Sequence, residues 1–478
     1  MARVSRMVGE YPVRLAFLGS LLLSLIAVLG TATVGRDAAL YIDIAQQVTE
    51  QGPNVAWQAF DWPWFSLLLA ATHGVLRLPL ELSAYLGCGL FFAGTCALMV
   101  DCVRQRSPQV AGWACLVVLA MPAVNAFRND IIRECGFWFF CTLTLWLALR
   151  WQARGGWLRA AFIHLAIVAA ALFRLEALVL LPALTFWQLS NVRSPIQRKR
   201  FLQFILLPVL GLVAASVSGS LLSVRVAAYL DMINPQSVFA SFGLLSEQFA
   251  NSLINKYSRD EAGRIIFFGI LATLSITFVQ LMGPFAVPLA FRRNWSVLRT
   301  YWRDYRPFAW AALLYLVVLV LFYVKQQFMN TRYLSFLNLL FVPVLALALA
   351  AFVRQFPRWG KVLVGLGLLV MLANVVSLGP GKTQYVEAGN WMAANTDRGA
   401  PAYFEDGRIS YYAGRGYAVP MLTREEAMSS AHAQHYRYFL IDARGNEPWL
   451  SGWLAEHNLR VITRFANRKG ATVLVIGP

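Results

Sequence analysis

Apolar runs recur along almost the whole of this 478-residue chain, and that recurrence limits its possible folds more than any other feature. A run of about 18 or more apolar residues is long enough to cross a bilayer as a helix. Eleven are read, at 15–34, 82–102, 110–126, 134–150, 159–173, 176–190, 201–223, 264–290, 308–324, 333–353 and 361–379. Only 14% of residues are charged, against roughly 25% in soluble domains. The expectation is an all-α polytopic membrane domain of about eleven transmembrane helices over residues 1–379.

A net charge of +18 would suit a nucleic-acid partner, but the positions of the charges argue against one. With the N-terminus inside, the cytoplasmic segments hold Arg3, Arg6 and Arg14, then Arg104 and Arg106, then Arg150, Arg154 and Arg159. They continue with Arg193, Arg198, Lys199 and Arg200, with Arg292, Arg293, Arg299, Arg303 and Arg306, and with Arg354, Arg358 and Lys361. This is the positive-inside pattern. The basic balance therefore reads as topology, with contact to membrane lipids secondary. The apolar stretch 63–80 would reverse every later loop if it crossed, so 64–80 is read as a helix in the outer interface.

Six cysteines fall in or beside the runs with no CxxC spacing, which favours apolar packing over a disulfide or metal framework. The first run has no small-residue cleavage site after it and reads as a retained span. Composition changes after residue 378, at Gly379-Pro380-Gly381. A helix over 384–395, strands at 401–404, 417–420, 438–442, 460–465 and 472–476, and a helix near 448–457 predict a small extracytoplasmic α/β domain over 380–478.

The expected outer loops carry the chemistry. The first, 34–81, holds Arg36, Asp37, Asp43, Asp61 and the aromatic cluster Trp57, Phe60, Trp62 and Trp64. The second holds Arg128, Asp130, Arg133 and Glu134, a tight turn holds Arg174 and Glu176, and a late loop holds Lys325, Arg332 and Tyr333. Ionisable groups at membrane depth are expensive and point to function. Plainer readings stand beside this one. Arg174 and Glu176 also fit an interfacial pair closing a helical hairpin, Asp37 a helix N-cap, Asp43 a solvated charge and Asp61 a loop residue. Asp130 and Glu134 share a face if their segment is helical. His73, His164 and Asn338 read as packing or interfacial residues. The loop 224–263 reads as an amphipathic segment on the outer interface, either a flap or a passive surface helix.

The order of these features resembles the GT-C class of integral-membrane glycosyltransferases, in the branch of protein O-mannosyltransferases and the lipid A aminoarabinose transferase. In that branch an acid opens the first outer loop, followed by tyrosine and alanine at helical spacing and a closing glycine. Asp37, Tyr41, Ala45 and Gly52 are similar to that pattern. Asp61-Trp62-Pro63-Trp64 resembles the proline–aromatic segment that follows, and Glu134 the second acid, at the start of the fourth span. Arg174-Leu-Glu176 with Leu180-Leu181-Pro182, and later Arg332-Tyr333, continue the series. The tail is similar too, in Asn390-Trp391 through Asn395 and Ser410-Tyr411-Tyr412-Ala-Gly414-Arg415. The chain departs from the pattern at Trp62 and Trp64, where many members have lysine and proline, and in having no proline after Arg332-Tyr333 until Pro343.

The resemblance implies an inverting transfer of a sugar from a polyprenyl-phosphate donor to a lipid, protein or glycan acceptor at the outer face. It implies Asp37 as general base and Glu134 as second acid. Arg128, Arg174, Lys325 and Arg332 would meet the phosphate, with Asp130, Glu176, Tyr333 and Asp61 lining the substrates. No cofactor is required, and a divalent metal remains compatible. The expected location is a bacterial inner membrane, with the N-terminus cytoplasmic and the C-terminal domain periplasmic. The alternatives are a polysaccharide or O-antigen-type ligase on a related fold, and a polar-lipid transporter or flippase.

Overall fold

A computed structural model describes residues 11–190, 192, 194–217, 224–376, 379, 381–419 and 421–478. Arg3, Arg6, Arg193, Pro380, Pro420 and the end of the 201–223 run lie outside the described residues. Each apolar run lies largely on helix. Among the described residues, five helices are long and apolar enough to cross a membrane: Pro12–Leu29, Leu80–Arg106, Ala262–Ala290, Arg306–Gln326 and Pro357–Val375. A sixth candidate is the pair Thr331–Leu340 and Val342–Gln355, bent by 62°. Shorter apolar helices include Trp157–Phe173 and Leu175–Leu189. The chain divides into two units.

The first unit comprises Met1–Leu25, Cys88–Arg128 and Arg133–Val375. Within it, helices Glu134–Arg154 and Trp157–Phe173 pack together as a hairpin. Gly155 and Gly156 make the turn with φ of 63° and 105°, values that glycine alone adopts without strain. Gly136 lets the hairpin close, because a Cβ there would enter the Phe173 ring. Phe137 and Tyr315 both pack edge-on against Phe336, with centroids 4.8 and 4.9 Å away. The bend between Thr331–Leu340 and Val342–Gln355 falls just before Pro343, which has no N–H to continue the ladder. Asn330 caps the first of these helices by accepting from the Arg332 N–H at 3.1 Å. All six cysteines are buried and unbridged.

The second unit comprises Ile26–Gly87, Asn129–Ile132 and Val376–Pro478, so the first outer loop folds with the tail. Helix Arg36–Gln51 buries Ala38, Ala39, Tyr41, Ile42, Ile44 and Ala45 on one apolar side. Tyr41 packs edge-on against Phe65 at 5.2 Å. The helix starts after Gly35, which corrects the N-cap reading of Asp37: that residue is second in the helix. Its carboxylate stands in the first turn, where the helix dipole favours negative charge.

The tail forms a four-stranded sheet in the order β1-β2-β4-β3, with β1 Ala402–Phe404, β2 Tyr438–Asp442, β3 Arg460–Ala466 and β4 Thr472–Gly477. β1 pairs parallel with β2, and β4 runs antiparallel to both β2 and β3. Alternation along β2 sends Phe439 and Ile441 into one core with Tyr403, Leu450 and Ile476. Leu440 enters the other core, with Tyr385 and Met392 of helix Thr383–Asn395. The strand expected at 417–420 does not form over its described residues. Gly416 has φ 82°, and the Ala418 carbonyl and Tyr417 ring press on Gly407 so closely that a Cβ there would clash. That stretch packs on a glycine instead of joining a ladder.

Candidate functional site

In the first unit the chain breaks between two apolar helices at Arg174, whose backbone is extended at φ −150° before the 3₁₀ turn Leu175–Val179. The break turns Arg174 and Glu176 into the protein, where they are 5% and 8% exposed. Arg174 donates from Nη1 to Glu134 Oε1 at 2.5 Å and from Nε and Nη2 to Glu176 Oε1, the former at 3.2 Å. Glu134 is the first residue of its helix and 2% exposed. Its Oε1 also pairs with Arg332 Nε at 3.2 Å. The Tyr333 ring faces both cations, with its centroid 4.2 Å from Arg174 Cζ and 5.6 Å from Arg332 Cζ. Two arginines, two carboxylates and a tyrosine thus form one largely buried, charge-paired cluster. Burying so many charges is tolerable only because each is paired. Glu176 Oε2 is buried with no hydrogen-bond partner among the described residues.

Arg128 and Lys325 have other partners. Arg128, 2% exposed, bonds Asn125 Oδ1 at 2.5 Å, the Ser20 hydroxyl and carbonyl at 2.8 and 3.1 Å, and the Ser24 hydroxyl at 3.1 Å. Lys325 pairs with Asp231 at 2.8 Å and donates to Ser237, joining helix Arg306–Gln326 to the loop helices Val224–Ile233 and Pro235–Ser252. The loop therefore brings a residue that the sequence did not single out. Tyr229 stands within electrostatic reach of Glu176 and Arg174; burial first, then the Glu176 charge, push its hydroxyl up. No pattern distinguishes Tyr229 from the other aromatic residues of that loop.

In the second unit Asp37 is half-buried beside Arg36, whose guanidinium donates to Asp406 Oδ2 from Nε at 2.9 Å. Asp406 also receives Arg408 Nε at 2.8 Å and Nη2 at 2.7 Å. Asp61 is exposed in the turn before helix Trp64–Leu76. Asp130 lies in a non-helical stretch beside Gly35, 3.7 Å from where a Cβ would stand, so the shared helical face with Glu134 is not formed.

Many packed helices, an apolar majority and a small α/β tail make a polytopic membrane fold, and solved structures share it. The crystal structure of ArnT from Cupriavidus metallidurans bound to undecaprenyl phosphate is similar over 97% of each chain, with a TM-score of 0.62 at 14% identity. Its apo form is similar over 100% of this chain and 98% of that one, with a TM-score of 0.60 at 14% identity. The Archaeoglobus fulgidus oligosaccharyltransferase, in complex with zinc and sulfate, is similar over 92% of this chain and 69% of its own, with a TM-score of 0.55 at 12% identity. No family model and no curated protein matches the chain.

Proposed function

We propose that the chain is an inverting glycosyltransferase that takes a sugar from a polyprenyl-phosphate donor. The observation that carries this reading is helix Thr331–Leu340. Its first turn presents Arg332 and Tyr333 to the buried cluster, while Leu334 and Leu337 line an apolar groove of about 300 Å³ with Phe278, Trp302, Leu316 and Phe341. A helix that is cationic at one end and apolar along the next turns suits a lipid phosphate, head and tail. The undecaprenyl phosphate named for the similar ArnT structure has that chemistry.

In the reaction an acceptor hydroxyl or amine attacks the anomeric carbon and gives up its proton to Asp37. The bond from that carbon to the phosphate oxygen breaks, and polyprenyl phosphate leaves with the electron pair. General-base catalysis of this kind contributes typically ~10²–10⁴ in rate. Arg332 and Arg174 stabilise the departing phosphate, and arginine suits it for its fork of donors. Glu134 holds both arginines in place and orients acceptor or sugar hydroxyls. The acceptor is a lipid, a protein or an envelope glycan, and the membrane is a bacterial inner membrane with the tail outside.

The test is sugar transfer in proteoliposomes with a panel of polyprenyl-phosphate sugars, wild type beside Asp37→Asn. Consumption of one donor by wild type, and loss of turnover with donor binding kept in the variant, supports the reading. Donor that stays intact overturns it in favour of lipid transport or polymer ligation, and a fully active Asp37→Asn overturns Asp37 as the base.

A further inference from the structure

The residues just before Asp37 are held from 370 or more positions away. Val34 N donates to the Tyr412 hydroxyl at 2.9 Å, and Arg36 donates to Asp406, with N···O distances of 2.8 and 2.9 Å. A third contact lies about two turns further on, where Gly416 faces Asp43: a Cβ there would stand 3.1 Å from Oδ1. All three partners belong to one short stretch, helix Gly407–Tyr412 with its N-cap Asp406 and the turn that follows. All lie in the second unit.

Asp406 is built for this task. Its side chain is fully buried, whereas that of Arg36 is 63% exposed. It caps its own helix by accepting from Arg408 N at 3.0 Å, and the Arg408 fork holds both its oxygens. Arg408 is fixed in turn on the Tyr385 ring, 4.4 Å from its centroid. The carboxylate that meets Arg36 is therefore rigid, anchored to the core of the tail. A long exposed arginine gains little from a mobile surface acid, but a preorganised one fixes its geometry.

We propose that Asp406 is a positioning residue for Asp37: by gripping Arg36, while Tyr412 grips Val34, it fixes the first turn of helix Arg36–Gln51 and with it the carboxylate that acts as base. The tail is then part of the catalytic geometry and not an appendage. The inference rests on the base assignment above. Displacing a reacting group by about 1 Å costs ~10²-fold in rate, so a loosened first turn lowers kcat and leaves donor KM nearly unchanged.

The experiment is a double-mutant cycle in the full-length protein, with Asp406→Asn, Arg36→Gln and the pair. Each single variant is expected to lose ~10–10² in kcat with donor KM held within about twofold, and the pair to lose no more than either. A purely structural role for Asp406, through its cap and Arg408, would instead make the two losses multiply, and that result overturns the proposal. Tyr412→Phe removes only one hydroxyl, so it guards against misfolding and is expected to lower kcat in the same sense. Hydrogen exchange reads the grip without activity. Asp406→Asn and Tyr412→Phe should speed exchange over residues 39–45 far more than over β2 and β4. Unchanged exchange there in both variants sinks the inference whatever the enzyme does. A wild type that transfers no sugar sinks the base assignment and the proposal with it, even if the exchange shows the grip.

Discussion

Arg174 Nη1 donates to Glu134 Oε1 at 2.5 Å, which ties the break after helix Trp157–Phe173 to the first residue of helix Glu134–Arg154. The bond closes the hairpin at its open end and sets one arginine of the proposed phosphate site. Removing Arg174 takes the ion-pair partner from buried Glu176 and leaves Glu134 with Arg332 alone, and breaking a buried pair in that way costs roughly 3–5 kcal/mol. Arg174→Ala is expected to lower the melting temperature sharply in detergent. Arg174→Lys keeps the charge but loses the fork, and should recover only part of the loss.

Arg332 should behave differently. Its side chain is 21% exposed, and Glu134 keeps Arg174 when Arg332 is gone. Arg332→Ala is expected to melt close to wild type while binding polyprenyl phosphate less tightly. A charged hydrogen bond is worth roughly 1.5–3 kcal/mol, about 10- to 150-fold in affinity. Lipid titration by intrinsic fluorescence, run beside a melt, separates the two arginines.

Gly136 couples packing to the same site. Any Cβ there enters the Phe173 ring, and Phe173 precedes Arg174. Overpacking of this kind costs roughly 1–3 kcal/mol. Gly136→Ala should therefore keep a folded protein of reduced melting temperature, with sugar transfer lost out of proportion to stability. Melting and turnover measured on one preparation check this.

The Arg174–Glu176 turn was legible because both residues interrupt an apolar stretch at close spacing, and interruption is visible in one dimension. In helix Arg36–Gln51 the helical spacing of Asp37, Tyr41 and Ala45 was legible through the resemblance, and its buried stripe emerged with the structure. The sheet was mostly legible from its β-rich runs. The stretch 417–420 misled because its residues suit a strand, whereas the contact that decides its path is with Gly407, ten residues back and unmarked by any pattern. Asp130 and Glu134 have helical spacing, but residues 130–132 are not helical. Tyr229 and Asp406 were invisible as site members because each acquires its role from partners distant in the chain.

Acid should loosen the tail through Asp406. Burial alone would raise its carboxyl, but the hydrogen bonds and charge of Arg408, followed by Arg36, outweigh burial and hold it at about 2 against an ordinary 3.8. A carboxylate depressed in the folded state contributes stability that is present above the unfolded value and is lost as pH falls through the folded one. Protection of β2 and β4 from hydrogen exchange should therefore fall between about pH 4 and about pH 2. Asp442 opposes this, since burial lifts its carboxyl and its contribution grows as pH falls. Asp406→Asn should show less protection at neutral pH and a flatter decline, and a decline as steep as that of wild type would assign the acid sensitivity to other groups.

The loop helices are held by Lys325, and that hold can be released alone. Lys325 is 13% exposed and its partner Asp231 56%, so the lysine is the fixed member and the loop the one that moves when the bond breaks. Ser237, at the start of the next helix, accepts from the same ammonium, so a single cation bridges both loop helices. Tyr229 is two residues before Asp231, and loss of the bridge should carry its ring away from Glu176 and Arg174. Asp231→Ala is expected to speed hydrogen exchange across 224–252 and to raise donor KM several-fold, with the melting temperature nearly unchanged because an exposed pair adds little to stability. Lys325→Ala should do more, since Ser237 also loses its partner. If exchange over 224–252 is the same in all three proteins, the bridge does not hold the loop, and Lys325 would then be free to serve the donor phosphate instead.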